Sequence, residues 1–286
     1  MTTMDVITPS FSGDFELCVD LNASVLANTP PTVRHHIIVP GRDLELFGRL
    51  ANERTIVSDE GRLLPRSLVS VPGTKYSVNL RRPYPPVRGW IIQQIVKLGA
   101  AAAAEADVVV LVDSDIVFAR PFGPDTFVRD GVVRLYRKPN EIDDRLPRHM
   151  IWHRAARELL GLSAQQPPYT DYVSSLLAWD PRLVKSMLER IEKVTRQPWQ
   201  TAIGSQLHFS EWTLYGVFVE EVLGAPANQF ASDDTLCHSY WEETPLDENS
   251  AREFLSAIKP DDIAVMISAK SRTPLELRRK AWASLS

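Results

Sequence analysis

The chain has 286 residues, 44% apolar and 24% charged, the balance of a globular protein with a sizeable core. A net charge of −4 and a sequence pI near 5.9 exclude a basic nucleic-acid surface. The most apolar window, Ile91 to Val112, is broken by Lys97, Glu105 and Asp107, which excludes a transmembrane segment.

The predicted elements begin with a strand at Met4-Asp5-Val6-Ile7-Thr8, ended by Pro9-Ser10. Ser12-Gly13-Asp14 then opens a helix carrying Phe15, Val19, Asn22, Val25 and Leu26. His35-His36-Ile37-Ile38-Val39 predicts a second strand, stopped by Pro40-Gly41. A helix through Leu44, Phe47 and Leu50 and a strand at Arg54-Thr55-Ile56-Val57 follow. This β-α-β-α-β order predicts a parallel sheet with helices on its faces. Gly61 to Pro86, ending in Arg81-Arg82-Pro83-Tyr84-Pro85-Pro86, reads as irregular, either a solvated linker or a binding loop. Trp90, Ile91, Gln94, Ile95 and Leu98 recur at helical spacing, and the alanines 100–104 carry that helix towards the next strand.

That strand is Asp107-Val108-Val109-Val110-Leu111-Val112, an apolar, mostly valine run of the kind buried on both faces of a parallel sheet. It ends in Asp113-Ser114-Asp115. If the backbone stays extended, the two carboxylates point to one side. Ligands of open α/β sheets bind beyond the carboxyl ends of the strands. Paired carboxylates there suit Mg²⁺ or Mn²⁺ together with substrate phosphates. A plain turn is the alternative, since Asp and Ser favour turns.

The second half is less regular. Gly131 to Tyr136 predicts a strand, Arg148 to Leu162 a basic helix, Tyr172 to Trp179 a strand, and Asp180-Pro181 the start of a helix. Ser210-Glu211-Trp212-Thr213 opens another, stopped by Gly224. Pro226 to Ser239 reads as a loop, Ile263 to Ile267 as a late strand, and the C-terminus as a basic helix. His238 is a metal-ligand candidate because imidazole suits borderline metals; it could equally be a surface histidine. Glu211 at a helix start could cap the helix, serve as a general base or hold an acceptor. Lys270 could neutralise a diphosphate. Cys18 and Cys237 show no metal or redox spacing, and Met1 to Asp5 no signal-peptide pattern, so a cytoplasmic location is expected.

The whole chain resembles GT-A-type glycosyltransferases, on its N-terminal β-α-β half, Asp113-Ser114-Asp115 after a buried strand, and His238. Gly89-Trp90-Ile91-Ile92-Gln93-Gln94 and Ser210-Glu211-Trp212-Thr213-Leu214-Tyr215-Gly216 are similar to a bacterial, poorly characterised GT-A-like group. The resemblance implies one domain over 1–286, with a donor half at about 1–136 and an acceptor half at about 137–286. It implies transfer of a sugar from a nucleoside-diphosphate sugar to a hydroxyl of a sugar or small-molecule acceptor. The metal would bridge Asp115, His238 and the diphosphate, with Asp113 on the ribose or a metal-bound water and Ser114 beside it. Thr8, Pro9 and Ser10 would face the nucleobase. Lys270, with Arg88, Gln94 or Lys97, would line the donor. Tyr172, Trp179 and Glu211 to Tyr215 would shape the acceptor site. Inverting members carry an acidic pair at the helix start; here Trp212 takes the second place, so Glu211 alone could be the base.

Two rival readings use the same residues. Asp113-Ser114-Asp115-Ile116-Val117 also resembles the first motif of haloacid-dehalogenase-like phosphatases, with Asp113 as nucleophile and Asp233-Asp234 as the late acidic pair. That family starts near its nucleophile strand, whereas here β-α units precede it. The other rival is a non-catalytic sugar-nucleotide-binding module.

Overall fold

The N-terminal third builds the sheet its pattern predicts. In the computed structural model, which describes residues 2–71, 74, 76–80, 82–227 and 229–283, strands β1 (Met4–Pro9), β2 (Arg34–Val39) and β3 (Thr55–Asp59) pair in parallel. Helices α1 (Phe15–Asn28) and α2 (Leu44–Gly48) connect them. The stretch expected to be irregular forms a three-stranded antiparallel sheet of β4 (Leu68–Ser70), β5 (Tyr76–Asn79) and β6 (Arg82–Arg88). Its prolines hid it. Proline has no N–H for a ladder, but β6 is an edge strand, where that loss is tolerated. Arg81 of the same motif lies outside the described residues.

Helix α3 (Gly89–Ala103) leads into β7 (Val108–Val112), which pairs in parallel with β1. The strand Leu176–Trp179 closes that edge antiparallel to β7, giving a five-stranded, mostly parallel sheet with β1 in the middle. The valine run is buried on both faces. Val109 and Leu111 pack with Ile91, Ile95 and Leu98 of α3, while Val108, Val110 and Val112 pack with Leu21 and Val25 of α1. Water is therefore excluded from both sides of the strand, which explains its lack of polar alternation.

Beyond Val112 the backbone does not stay extended. It turns at Ser114 and Asp115 and enters β8 (Ile116–Phe118), which belongs to a second sheet. There β8 pairs antiparallel with Ala264–Ile267, and that strand pairs in parallel with Cys237–Tyr240. His238 is thus in a strand and not in a loop. The Gly131 to Tyr136 stretch divides between two short ladders, because Val132–Val133 pairs with Val128–Arg129 and Leu135–Tyr136 with Ala231–Ser232. Among the helices of the second half are Pro147–Leu160, Pro181–Thr195, Glu211–Val217 and Leu275–Ala283. Glu211–Val217 runs on as a π-helical turn, Phe218–Leu223, and stops at Gly224 with φ +78°.

Candidate functional site

The parallel strands share a direction, so the ends of β1, β2, β3 and β7 lie on one rim, and the acidic turn is on that rim. Ser114 Oγ donates to Ser10 Oγ at 2.8 Å, tying the turn to the end of β1. The two aspartates diverge from there. Asp115 Oδ2 accepts from the Ala269 N–H at 2.7 Å. Asp113 Oδ1 stands 2.8 Å from Lys97 Nζ.

Lys97 is the least expected member. Its side chain is only 4% exposed, and its ammonium also lies 3.2 Å from Glu211 Oε1 and 4.3 Å from the centre of the Trp212 ring. Burial alone would push its pKa down, but Asp113 and Glu211 outweigh burial and raise it, so the lysine stays charged. A cation so enclosed is committed to these carboxylates and is not open to a phosphate.

Glu211 is enclosed too. Its side chain is 4% exposed, and burial raises its pKa against the opposing pull of Lys97. It does not cap its helix; Ser210 does, accepting from the Thr213 N–H. Gln94 anchors the same helix start, its Oε1 accepting from the Glu211 N–H at 2.9 Å. Gln94 is itself buried, so it holds protein and not nucleotide. Glu211 thus faces Lys97, and Gln94 faces the backbone of the helix start.

The charge balance at the turn is negative. Burial and Asp113 raise the pKa of Asp115 to about 6, with Arg278 and the Ala269 N–H opposing them. Asp14 is raised as well, by burial first and Asp113 second. Sequence reading missed Asp14 and Arg278. The first looked like a helix-start residue; the second is a buried arginine of the last helix that donates to the Ser268 and Thr273 carbonyls and so braces the loop holding Asp115.

The remaining candidates fall in different places. Thr8 is fully buried and its hydroxyl meets His35 Nε2 at 3.0 Å, within a network that includes Asn22 and Thr55. Pro9 ends β1 and is buried, so of the expected nucleobase loop only Ser10 touches the acidic turn. Arg88, at the N-terminus of α3, and Lys270, beside Ala269, are exposed. His238 does not join the aspartates: its ring stacks on Phe254, 4.2 Å between centroids, and its Nε2–H donates to the Phe254 carbonyl at 2.7 Å. Tyr172, Trp179 and Tyr215 are core residues, 3%, 1% and 4% exposed, so they cannot face an acceptor. Asp234 lies beside Arg134, which donates to its carbonyl, in the turn after Ala231–Ser232. Asn228, just before that segment, lies outside the described residues.

Asp113 and Asp115 are the residues of the turn that could hold a hard divalent cation. Among the described residues no group of three or more His, Cys, Asp and Glu is gathered to hold a metal unaided. Mg²⁺ is commonly held this way, by one or two carboxylates with water and substrate phosphates completing its shell. On the far side of β1, a pocket of about 300 Å³ lies beyond the ends of β2 and β3, lined in part by Gly41, Arg42, Asp59, Glu60 and Arg66.

Fold and site together define an α/β protein with an acidic, cation-braced turn at the carboxyl rim of its sheet. A family model described as a family of unknown function, DUF6492, matches residues 11–270, and the chain belongs to that family. Comparison with curated proteins gives no match. Among solved structures, the chain is similar to a crystal structure of an active-site mutant of LgtC, at 14% identity and a TM-score of 0.48, over 99% of this chain and 95% of that one.

Proposed function

We propose that the protein is a metal-dependent glycosyltransferase that uses a nucleoside-diphosphate sugar as donor. The observation that carries this reading is the turn Asp113-Ser114-Asp115 at the rim of a doubly buried strand, with a buried lysine fixing one carboxylate. Asp113 and Asp115 would hold Mn²⁺ or Mg²⁺; a bound ion offsets charge on a leaving diphosphate. Lys97 orients Asp113, and Glu211 holds Lys97. Lys270 supplies an exposed ammonium for the phosphates. The pocket between β2 and β3 is two to three strands from β7, about 10–14 Å at the usual strand spacing, and suits the nucleoside end. His238 is assigned to packing against Phe254. The chain works as one domain, with its donor half over about 1–136.

No helix among the described residues is long and apolar enough to cross a membrane. Cys18 and Cys237 are buried free thiols, in keeping with a reducing cytoplasm. The test is a thermal-shift screen of nucleoside diphosphates with and without Mn²⁺. One diphosphate should raise the melting temperature only when metal is present; no metal-dependent shift with any of them refutes the reading.

A further inference from the structure

We propose that Trp90, backed by Trp152 and edged by His149 and Asp171, is the subsite that receives a pyranose ring of a carbohydrate acceptor. The proposal rests on the transferase reading and narrows its acceptor to a sugar.

The aromatic residues expected to face the acceptor are in the core, whereas Trp90 is 40% exposed. Its ring lies 5.8 Å from that of Trp152, which is 8% exposed and fixes it from behind. The His149 ring lies against Trp152, tilted by 32° with centroids 4.4 Å apart. His149 Nδ1 is 3.7 Å from Asp171 Oδ1, with the two side chains 22% and 16% exposed. Isolated apolar residues on a surface need no explanation, but an exposed indole backed by a second tryptophan and edged by a polar pair marks a binding surface.

The topology sets this patch on the reaction rim. Helix α3 ends at Ala103, just before β7 begins at Val108, so it runs back along the sheet towards the carboxyl end of β7, where Lys97 reaches Asp113 and its first turn, with Trp90, lies further on. Asp171 precedes Leu176, which pairs with Val112 at that same end. A hydrogen-bonded link joins the patch to the site: the Gln94 amide donates to the Trp90 carbonyl at 3.3 Å, and its oxygen accepts from the Glu211 N–H.

The chemistry of the patch selects its ligand. A pyranose offers a flat C–H face for an indole and a rim of hydroxyls for a carboxylate and an imidazole. A lipid chain has no use for the polar pair. A phosphorylated acceptor would meet the Asp171 carboxylate.

The test is saturation-transfer NMR of the wild-type chain with cellobiose and with lactose, without nucleotide or metal, repeated on Trp90→Ala and Trp90→Phe. The wild type should transfer saturation to pyranose C–H protons. Trp90→Ala should weaken affinity about tenfold, equivalent to about 1.4 kcal/mol, while Trp90→Phe, which keeps a ring, should retain most of it. Unchanged melting temperatures of both variants would show that the fold is intact. Absence of binding by the wild type, or equal binding by all three proteins, overturns the proposal. The transferase reading fails separately, on the metal-dependent nucleoside-diphosphate shift, because saccharide binding is measured without donor.

Discussion

Lys97 and Asp113 form an ion pair of 2.8 Å in which one side chain is 4% exposed and the other 49%. The pair spans the boundary of the protein: its cation belongs to the interior and its carboxylate faces the rim. Glu211 supplies the second anion that lets the cation remain inside.

Lys97→Met should therefore cost stability, not only function. It leaves Glu211 enclosed without its cation, and removing one partner of a buried pair costs roughly 3–5 kcal/mol. Adding Glu211→Leu should recover most of the loss. Urea denaturation of the two variants measures both, and a single-variant cost below about 1 kcal/mol would mean that the pair is not structural.

Asp115→Asn keeps an oxygen for the Ala269 N–H but removes the charge. The fold should persist while the Mn²⁺-dependent part of the nucleoside-diphosphate shift disappears. For the wild type that part approaches about 2.7 kcal/mol at a hundredfold excess over Kd. Undiminished metal dependence in the variant would place the metal elsewhere.

Glu211→Gln separates support from general-base catalysis. With the carboxylate gone, Lys97 neutralises Asp113 more strongly, so metal affinity should fall and excess Mn²⁺ should restore transfer. Loss of a general base predicts instead a drop of roughly 10²–10⁴ in turnover that metal does not rescue. Transfer rates across a Mn²⁺ titration distinguish the two.

Gly216→Ala tests a close approach. An alanine normally favours a helix over glycine by about 1 kcal/mol. Here its Cβ would stand 2.1 Å from Cγ of the buried Tyr172 ring. Overpacking of that kind costs roughly 1–3 kcal/mol or more, so the clash should win and the melting temperature should fall. A stabilised variant would show that Tyr172 yields.

His35 carries a pH signature. Burial, with a smaller contribution from His36, holds its pKa down at about 3. Below the ordinary value near 6.5 the unfolded chain takes up a proton that the folded chain refuses. The stability contributed by neutral His35 is complete above about 6.5 and is lost as pH falls towards 3, by about 1.4 kcal/mol per pH unit. His35→Gln should flatten that part of the acid slope in denaturation curves recorded between pH 6 and 4; an unaltered slope would assign the acid sensitivity to other groups.

The sheet and the place of the two aspartates at the end of its valine strand were legible because their signals are local, but the turn that parts their carboxylates was not. A short, unbroken, β-branched run reads as a strand covered on both faces, and the alternation of short strands with amphipathic helices before it predicts parallel pairing. The antiparallel sheet β4–β6 was not legible, because proline content reads as irregular unless the strand is known to be an edge. The members of the site divide in the same way. Asp113 and Asp115 announce themselves by position, as does a helix start at Ser210. Nothing near Lys97 in the chain says that it is buried between two carboxylates. Nothing near Asp115 says that the Ala269 N–H, 154 residues away, donates to its carboxylate. Tyr172, Trp179 and Tyr215 show the same limit from the other side, since an aromatic side chain suits a core and a sugar face equally well and only packing decides which it meets. Periodicity and turn chemistry act over a few residues and are written along the chain. The burial of a charge depends on partners brought together across the fold, and those distances exist only once the sheet, α3 and the last helix have closed around the turn.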